Sequence, residues 1–561
     1  MNRRNFINLS VAGGVLSAFP VLTTCNSKRL TVKSKELTAD LVIAGGGLGG
    51  CAAALGALRN GLTVIMTEET DWIGGQITAQ GVPPDENPWI ETHGSTQLYR
   101  DFRTAVRQYY IRNYPLTEEA RARQYLNPGD GSVSRLCHEP RVALAVLYEM
   151  LNPYISTGKL TLLMEYKAVA ADVTGNKVHA LKVAHVRSKD EVVLTAPYFV
   201  DATELGDLLP MTGTEYRTGA EAQSETNELH ALEKADPQNQ QAFTVCYAID
   251  YDKDGHHVID KPAMYDFWQT FVPELTPPWS GRLLNMDYSS PATLEPITLG
   301  FHPEGLRMGN AINMWNYRRI INKNNFTPGI YTGDITIINW PQNDYLLGNL
   351  DGSEKEFNHH VAQAKQLSLS LLYWLQTEVP RPDGGQGWPG LRLRGDIMGT
   401  DDGMAKYPYI REARRIKALF TVLEEHVGKE NRIQVSGKDR AAEFYDSVGI
   451  GYYHIDLHPS TRGNNYIDFP SLPYQIPLGA LLPQRMENLL PANKNIGTTH
   501  ITNGCYREHP VEWGIGEVVG MLTSFALQKK TAPRAVRENT GLLSDFQEMI
   551  QAQGVLIHWP E

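Results

Sequence analysis

The sequence predicts an α/β fold: a parallel sheet of the dinucleotide-binding kind, with a large α+β insertion. Three observations point to it. Residues 38–70 read as strand, glycine turn, helix and strand; residues 198–203 form a short apolar strand; residues 485–530 return to strand, loop and a small-residue helix. The text between, residues 211–445, is richer in Pro, Trp, Tyr and Asn and has no repeating period, as expected of an insertion with long ordered loops. The chain has 561 residues, 42 % of them hydrophobic and 20 % charged, so about three or four domain-sized units can share large cores. Lys and Arg number 52 against 63 Asp and Glu, a net charge of −11, which argues against a nucleic-acid partner. The five cysteines, at 25, 51, 137, 246 and 505, form no CxxC pair, so no iron–sulfur or zinc ligands are visible and no metal is expected.

Residues 1–25 read as an export signal. Arg3-Arg4 lead into Phe6 and Ile7, and a mild apolar stretch runs from Leu9 to Leu22. The pattern resembles the twin-arginine signal, a route for proteins already folded around a cofactor, and implies a periplasmic or envelope-associated protein. Leu22-Thr23-Thr24-Cys25 also resembles a lipobox, which would tether the mature chain through Cys25. No other segment approaches 18 consecutive apolar residues, so no membrane span is expected in the mature chain. Residues 26–37 are polar and read as a linker.

Residues 38–210 are expected to form the first part of the nucleotide domain. Strands at 39–44 and 62–67 flank a helix at 51–59, and helices follow at 94–113 and 140–152, with Pro140 suited to a first helical turn. Residues 159–195 alternate as a β-meander with a turn at Thr174-Gly175-Asn176. In the inserted domain, 211–445, helices are expected at 357–376 and 410–426. Residues 446–535 return to the nucleotide domain with a helix at 514–526, and 536–561 form a tail.

Gly45-Gly46-Gly47-Leu48-Gly49-Gly50 matches G-x-G-x-x-G. Gly45 suits the tight turn, Gly47 lets the backbone approach a pyrophosphate, and Gly50 permits close helix–strand packing. The pyrophosphate would meet the positive end of the following helix. Glu68 closes the second strand, where a carboxylate accepts from ribose hydroxyls. Two further pieces favour FAD over NAD. Gly74-Gly75-Gln76 resembles the second glycine turn of flavoproteins, and Asp201-Ala202-Thr203 resembles their strand-end Ala-Thr-Gly motif, with Glu204 in place of the usual glycine. Gly497, Gly516 and Glu517 belong to a third segment, whose helix would aim its N-terminal dipole at the flavin N1–C2=O edge.

With these motifs, the chain resembles the bacterial FAD-dependent oxidoreductases that group with the flavin subunit of heterodisulfide reductase. The likeness runs from about residue 38 to 530 and includes Cys137-His138-Glu139-Pro140, the 409–415 stretch and residues 499–510. It implies a Rossmann-type fold of the two-dinucleotide-binding kind and an FAD cofactor. Relatives with electron-transfer chains carry cysteine clusters that this sequence lacks, so that part of their chemistry is not implied.

The segment from His500 to Glu512 is the richest polar cluster and immediately precedes the flavin-facing helix. His500 or His509 is the expected general base and Arg507 the anchor for an anionic or oxygen-rich substrate. Asp334, residues 339–345, Trp374, Trp388, Arg392 and Arg394 mix aromatic faces with polar groups, which suits a sugar or polyol; a packed, hydrogen-bonded insertion core accounts for them better. His454, Asp456 and His458 read as a buried polar network. The expected function is oxidation of a small polar organic substrate by hydride transfer to flavin N5, with an external electron acceptor. A net non-redox isomerase or eliminase on the same fold, or a non-enzymatic binding protein on a Rossmann shell, are the alternatives.

Overall fold

The computed structural model describes residues 35–560. The export signal, Cys25 and most of the 26–37 segment lie outside the described residues. Five strands form one parallel sheet: β1 (Leu41–Ala44), β2 (Val64–Glu68), β3 (Leu160–Met164), β4 (Tyr198–Asp201) and β5 (Leu489–Pro491), in the order β5-β4-β1-β2-β3. β1 lies at the centre, its Ala44 in register with Thr67 of β2 and Asp201 of β4. All four β1 residues are buried, and their unbroken apolar run suits a strand covered on both faces. From β1 the chain builds outward to β2 and β3, then crosses back to β4 and β5. The carboxyl ends of β1 and β4 therefore form a topological switch point, where such sheets open a crevice.

Six helices position the crevice: α1 (Leu48–Arg59), α2 (Gln97–Asn113), α3 (Pro140–Ser156), α4 (Glu354–Thr377), α5 (His500–Tyr506) and α6 (His509–Lys529). Thr96 caps α2 by accepting from Tyr99 N–H, Pro140 occupies the first turn of α3, and Ser353 and Glu356 form a reciprocal capping box on α4. α1 buries Leu48 through Leu58 and carries no charged side chain before Arg59. Its backbone lies directly against that of α6: a Cβ on Gly516 would sit 2.0 Å from Gly49 O, and one on Gly520 would sit 2.1 Å from Ala53 O. Among the described residues no helix is long and apolar enough to cross a membrane.

A second antiparallel sheet orders Arg319–Ile321, Ile335–Ile338, Tyr247–Tyr251 and Leu391–Leu393. It shares a core with α4 in which Trp268, Trp315, Trp340, Trp374 and Trp388 are buried. The aromatic residues that suggested a sugar surface thus serve mainly as core. Their polar companions pair locally: Asp334 with Arg319 at 2.8 Å, and Arg392 and Arg394 with Asp250 at 2.6 and 2.8 Å.

Three sequence expectations need correction. Leu160–Met164 pairs in parallel with β2, so the meander starts only at Tyr166 and continues through Lys177–His185 and Glu191–Thr195. Lys35–Thr38, read as linker, is a strand in parallel with Glu191–Thr195. Residues 410–426 are not one helix: Arg415–Ile416 pairs with Tyr216–Arg217, and only Glu424–Val427 is helical. The reason is burial of charge. Arg411, Glu412 and Arg415 are all buried and find partners on different neighbours, Ala242 O, His500 and Glu221 among them. An extended chain sends successive side chains to opposite sides, whereas a helix would put them on one face.

The α1–α6 contact leaves no room for a methyl group. Gly516→Ala is expected to cost about 2–3 kcal/mol, as overpacking of a tight core does, and calorimetry should show a lower thermal midpoint.

Candidate functional site

A cavity of about 400 Å³ opens at the switch point, bounded by Gly45, Gly47, Glu68, Gly75, Ala202 and Thr203. Gly45 adopts φ +96°, and a Cβ there would lie 2.2 Å from Ala202 O, so only glycine lets β1 turn beneath β4. Gly47 and Gly75 face each other across the mouth: a Cβ on Gly75 would lie 2.9 Å from the Gly47 Cα. Gly74 N–H donates to Gly46 O at 2.7 Å and pins the two turns together. Glu68 closes β2 and accepts from Gly46 N–H at 3.0 Å and from the Thr70 N–H and hydroxyl at 2.8 Å. Burial pushes its carboxyl up to about 7 despite those hydrogen bonds. Glu204 points its carboxylate at both turns. Its Oε1 would lie 2.9 Å from a Cβ on Gly47 and 2.7 Å from one on Gly75, while Oε2 pairs with the buried Lys494. Gln80 also lines the cavity, buried with neither amide atom partnered.

A second cavity, of about 180 Å³, lies beyond the same wall. Gly75 and Gln80 line the first cavity and Asp85 the second; Tyr407 lines the first and Tyr409 the second. Gln76, 1 % exposed, ties this wall to the start of α6: its amide donates to Arg507 O at 3.2 Å and to Glu512. Arg318, Arg411 and Arg507 bring three guanidinium groups to the second cavity. Arg507 donates to Tyr409 Oη at 3.0 Å and to Asp456 Oδ2 at 3.0 Å. Burial would lower the His454 imidazole, but Asp468, 2.6 Å away, and Asp456 hold it up at about 9, so it is cationic at neutral pH. His458 pairs with Asp344. His454, Asp456 and His458 therefore form a polar network that faces a cavity rather than a closed core.

Residues 40–550 match the family model described as FAD dependent oxidoreductase. The chain belongs to that family. It is an FAD-dependent oxidoreductase. A search of curated proteins returns no match. Among solved structures, the anhydrotetracycline hydroxylase OxyS of Streptomyces rimosus is 10 % identical over 91 % of this chain and 65 % of its own, with a TM-score of 0.33. The quinol fumarate reductase of E. coli is 11 % identical over 92 % of this chain and 74 % of its own, with a TM-score of 0.31. L-proline dehydrogenase of P. horikoshii is 16 % identical over 33 % of this chain, which spans only 24 % of that protein, with a TM-score of 0.17. Likeness at these levels carries no information about the substrate.

The first cavity fits the cofactor of an FAD-dependent oxidoreductase. Its glycine turns leave backbone exposed where side chains would block a diphosphate, Glu68 ends its strand at the cavity where it could accept from a ribose, and the Gln80 amide is a buried donor and acceptor without a protein partner. The sequence candidates divide between roles. Gly45, Gly47, Glu68, Gly75, Ala202 and Thr203 line the cavity, with Gly50, Gly74 and Gln76 directly behind it. Asp201 instead secures the β4 turn: it accepts from Thr203 Oγ1 at 2.7 Å and from Leu208 N–H at 3.0 Å. Gly497 packs against Ala418 and Phe420 O, and Gly516 against Gly49 O; neither lines the cavity. Glu517 is buried on α6, one turn beyond Trp513, and is also absent from the lining. The sequence reading missed Lys494 and Glu204 as a pair because they are 290 residues apart.

The expected bases also separate. His500 lies in a buried ion network, its Nδ1 2.9 Å from Glu412 and its N–H donating to Glu221 Oε2 at 2.8 Å, away from both large cavities. Burial would raise the Glu412 carboxyl, but His500 and Arg415 hold it down at about 2. His509 Nδ1 accepts from Asp85 N–H at 3.2 Å, so the proton of the neutral ring sits on Nε2. Burial pushes that imidazole down to about 4.

Glu204 places a negative charge where a diphosphate must approach. Glu204→Gln is therefore expected to tighten FAD about tenfold, or ~1.4 kcal/mol, measured by titrating apo-protein and following flavin fluorescence. A second expectation concerns pH. Burial pushes Glu68, Asp201, Glu228 and Glu517 up to about 7. Folded-state pKa values above those of the unfolded chain mean that stability falls as pH rises from the ordinary carboxylate range through about 7. His138 and His509, pushed down to about 4, oppose this only below the ordinary histidine range of about 6.5. The thermal midpoint of the apo-protein should therefore fall between pH 6.5 and 8, read by scanning calorimetry.

Proposed function

We infer that this FAD-dependent oxidoreductase oxidises a small polar organic molecule held in the 180 Å³ cavity. The observation that carries this reading is the wall common to the two cavities. Residues 74–85 and 407–411 line the glycine-turn cavity with some side chains and the arginine-rich cavity with others. When bound, FAD supplies a two-electron acceptor for a C–H hydride. The chain's own residues bind and orient the substrate and take its proton. Arg507 is well suited to anchor an anionic or oxygen-rich group, since Tyr409 and Asp456 hold its guanidinium in place at the cavity. Sugars and polyols belong to this substrate class, although the aromatic residues that suggested them are mostly core. The Arg3-Arg4 start supports an exported enzyme delivered already folded, with electrons passing on to an external acceptor. The grouping with the flavin subunit of heterodisulfide reductase is part of the same reading and rests on the sequence motifs.

The direct experiment is anaerobic bleaching of the purified flavin against a panel of polar metabolites. A compound that bleaches the flavin stoichiometrically supports the reading, and turnover without any added oxidant would instead favour a net non-redox reaction. With that compound, Arg507→Lys should retain FAD and raise KM by about 10²-fold, because a bidentate guanidinium contact becomes a point charge. An unchanged KM would remove Arg507 as the anchor.

A further inference from the structure

Of the two histidines expected as base, His509 lies beside residues that line the second cavity, yet it is poorly placed to accept a proton, because the Asp85 N–H occupies its Nδ1 lone pair. The acids beside it are better placed. One oxygen of Asp85, one of Glu508 and one ring nitrogen of His509 lie within 4.8 Å of one another, all buried. Asp85 and Glu508 both line the second cavity. Asp85 Oδ2 meets Arg318 at 3.4 Å, and its Oδ1 has no partner. Glu508 Oε1 lies 3.1 Å from Arg507 Nη1, yet it accepts no hydrogen bond. A carboxylate this close to a buried carboxyl group opposes its ionisation, and Asp85 acts on Glu508 in that way.

We propose that Glu508, set beside Asp85 at the wall of the second cavity, is the group that accepts the proton released when substrate is oxidised. The inference rests on the substrate cavity assigned above. Oxidation of a CH–OH group to a carbonyl gives up a hydride, which the flavin cofactor takes, and a hydroxyl proton, which the Glu508 carboxylate takes; no further reactant is needed. The surroundings set the titration. Arg507 and cationic His454 favour the Glu508 carboxylate, and Asp85 and Asp456 oppose it. The Tyr409 and Tyr453 hydroxyls, held protonated by burial, add no charge. Burial outweighs the arginines and raises Glu508 well above the ordinary carboxylate range, which suits a base working near neutrality. A cation between these ligands is disfavoured because both carboxylates already face guanidinium groups and His509 Nδ1 is taken.

Infrared difference spectra of the FAD-loaded protein, titrated from pH 5 to 9, should show the carbonyl stretch of a protonated carboxyl group that disappears through the neutral range. The Glu508 band is the one present in the wild-type-minus-Glu508→Gln difference, where the bands of Glu68, Asp201, Glu228 and Glu517, which titrate in the same range, cancel; the variant should retain the flavin absorbance. With a compound from the metabolite panel, the wild-type flavin-reduction rate should rise about tenfold per pH unit and level off at the same midpoint. Glu508→Gln should be about 10²-fold slower and flat with pH. Absence of any carboxyl band from the wild-type-minus-Glu508→Gln difference, or a rising pH limb in that variant, would overturn the proposal. So would a stoichiometric divalent metal in the purified wild-type protein that Glu508→Gln loses. The infrared arm needs no substrate, so failure of the metabolite panel alone would count against the cavity assignment and leave the neutral-range titration of Glu508 standing.

Discussion

Direct backbone contact between α1 and α6 holds both ends of the chain to one sheet, and the position of everything near the cofactor cavity follows from it. Gly49 N–H donates to Glu512 Oε1 at 3.0 Å across 463 residues of sequence. The glycines beneath that bond bring two helix axes closer than side chains would allow. α1 therefore presents its N-terminus to the switch point, while α6 delivers Arg507 and Glu508 to the second cavity from its leading end. If the helices stood a methyl group further apart, the wall that Gln76 builds between the cavities would lose its anchor on Arg507 O.

The two cavities differ in how they handle charge. The first relies on exposed backbone, with one carboxylate at each glycine turn and one buried lysine as the counter-charge. The second relies on paired side chains, with every guanidinium set against a carboxylate and every imidazole against an aspartate. Buried pairs of this kind contribute little net stability after desolvation, but breaking one is costly, so they hold geometry firmly. That rigidity suits the substrate site proposed for this cavity.

Local signals made much of the fold legible. The G-x-G-x-x-G turn, the apolar runs of β1 and β4, Pro140 at a helix start and the small residues of α6 each act within a few positions, so the sequence exposes them directly. The 410–426 segment shows where local reading failed. Its apolar spacing matches a helix, yet Arg411, Glu412 and Arg415 are drawn into three different buried pairings that override the pattern. Lys35–Thr38 failed for the opposite reason: a polar strand at a sheet edge has no periodic signal, and only its pairing with Glu191–Thr195 defines it.

What the sequence determined by itself is the set of positions at which only glycine is tolerable, and with them the nucleotide-binding class. The left-handed backbone of a turn such as that at Gly45 depends on the residue and its immediate neighbours, whereas the close approach of Ala202 O to the same glycine comes from the fold. Which ionisable groups line the second cavity was decided only by the tertiary structure. His500 and His509 look alike along the chain, but one meets Glu412 and Glu221 while the other accepts from Asp85 N–H. The protonation and reach of a buried side chain depend on partners hundreds of residues away, and folding alone brings those partners together.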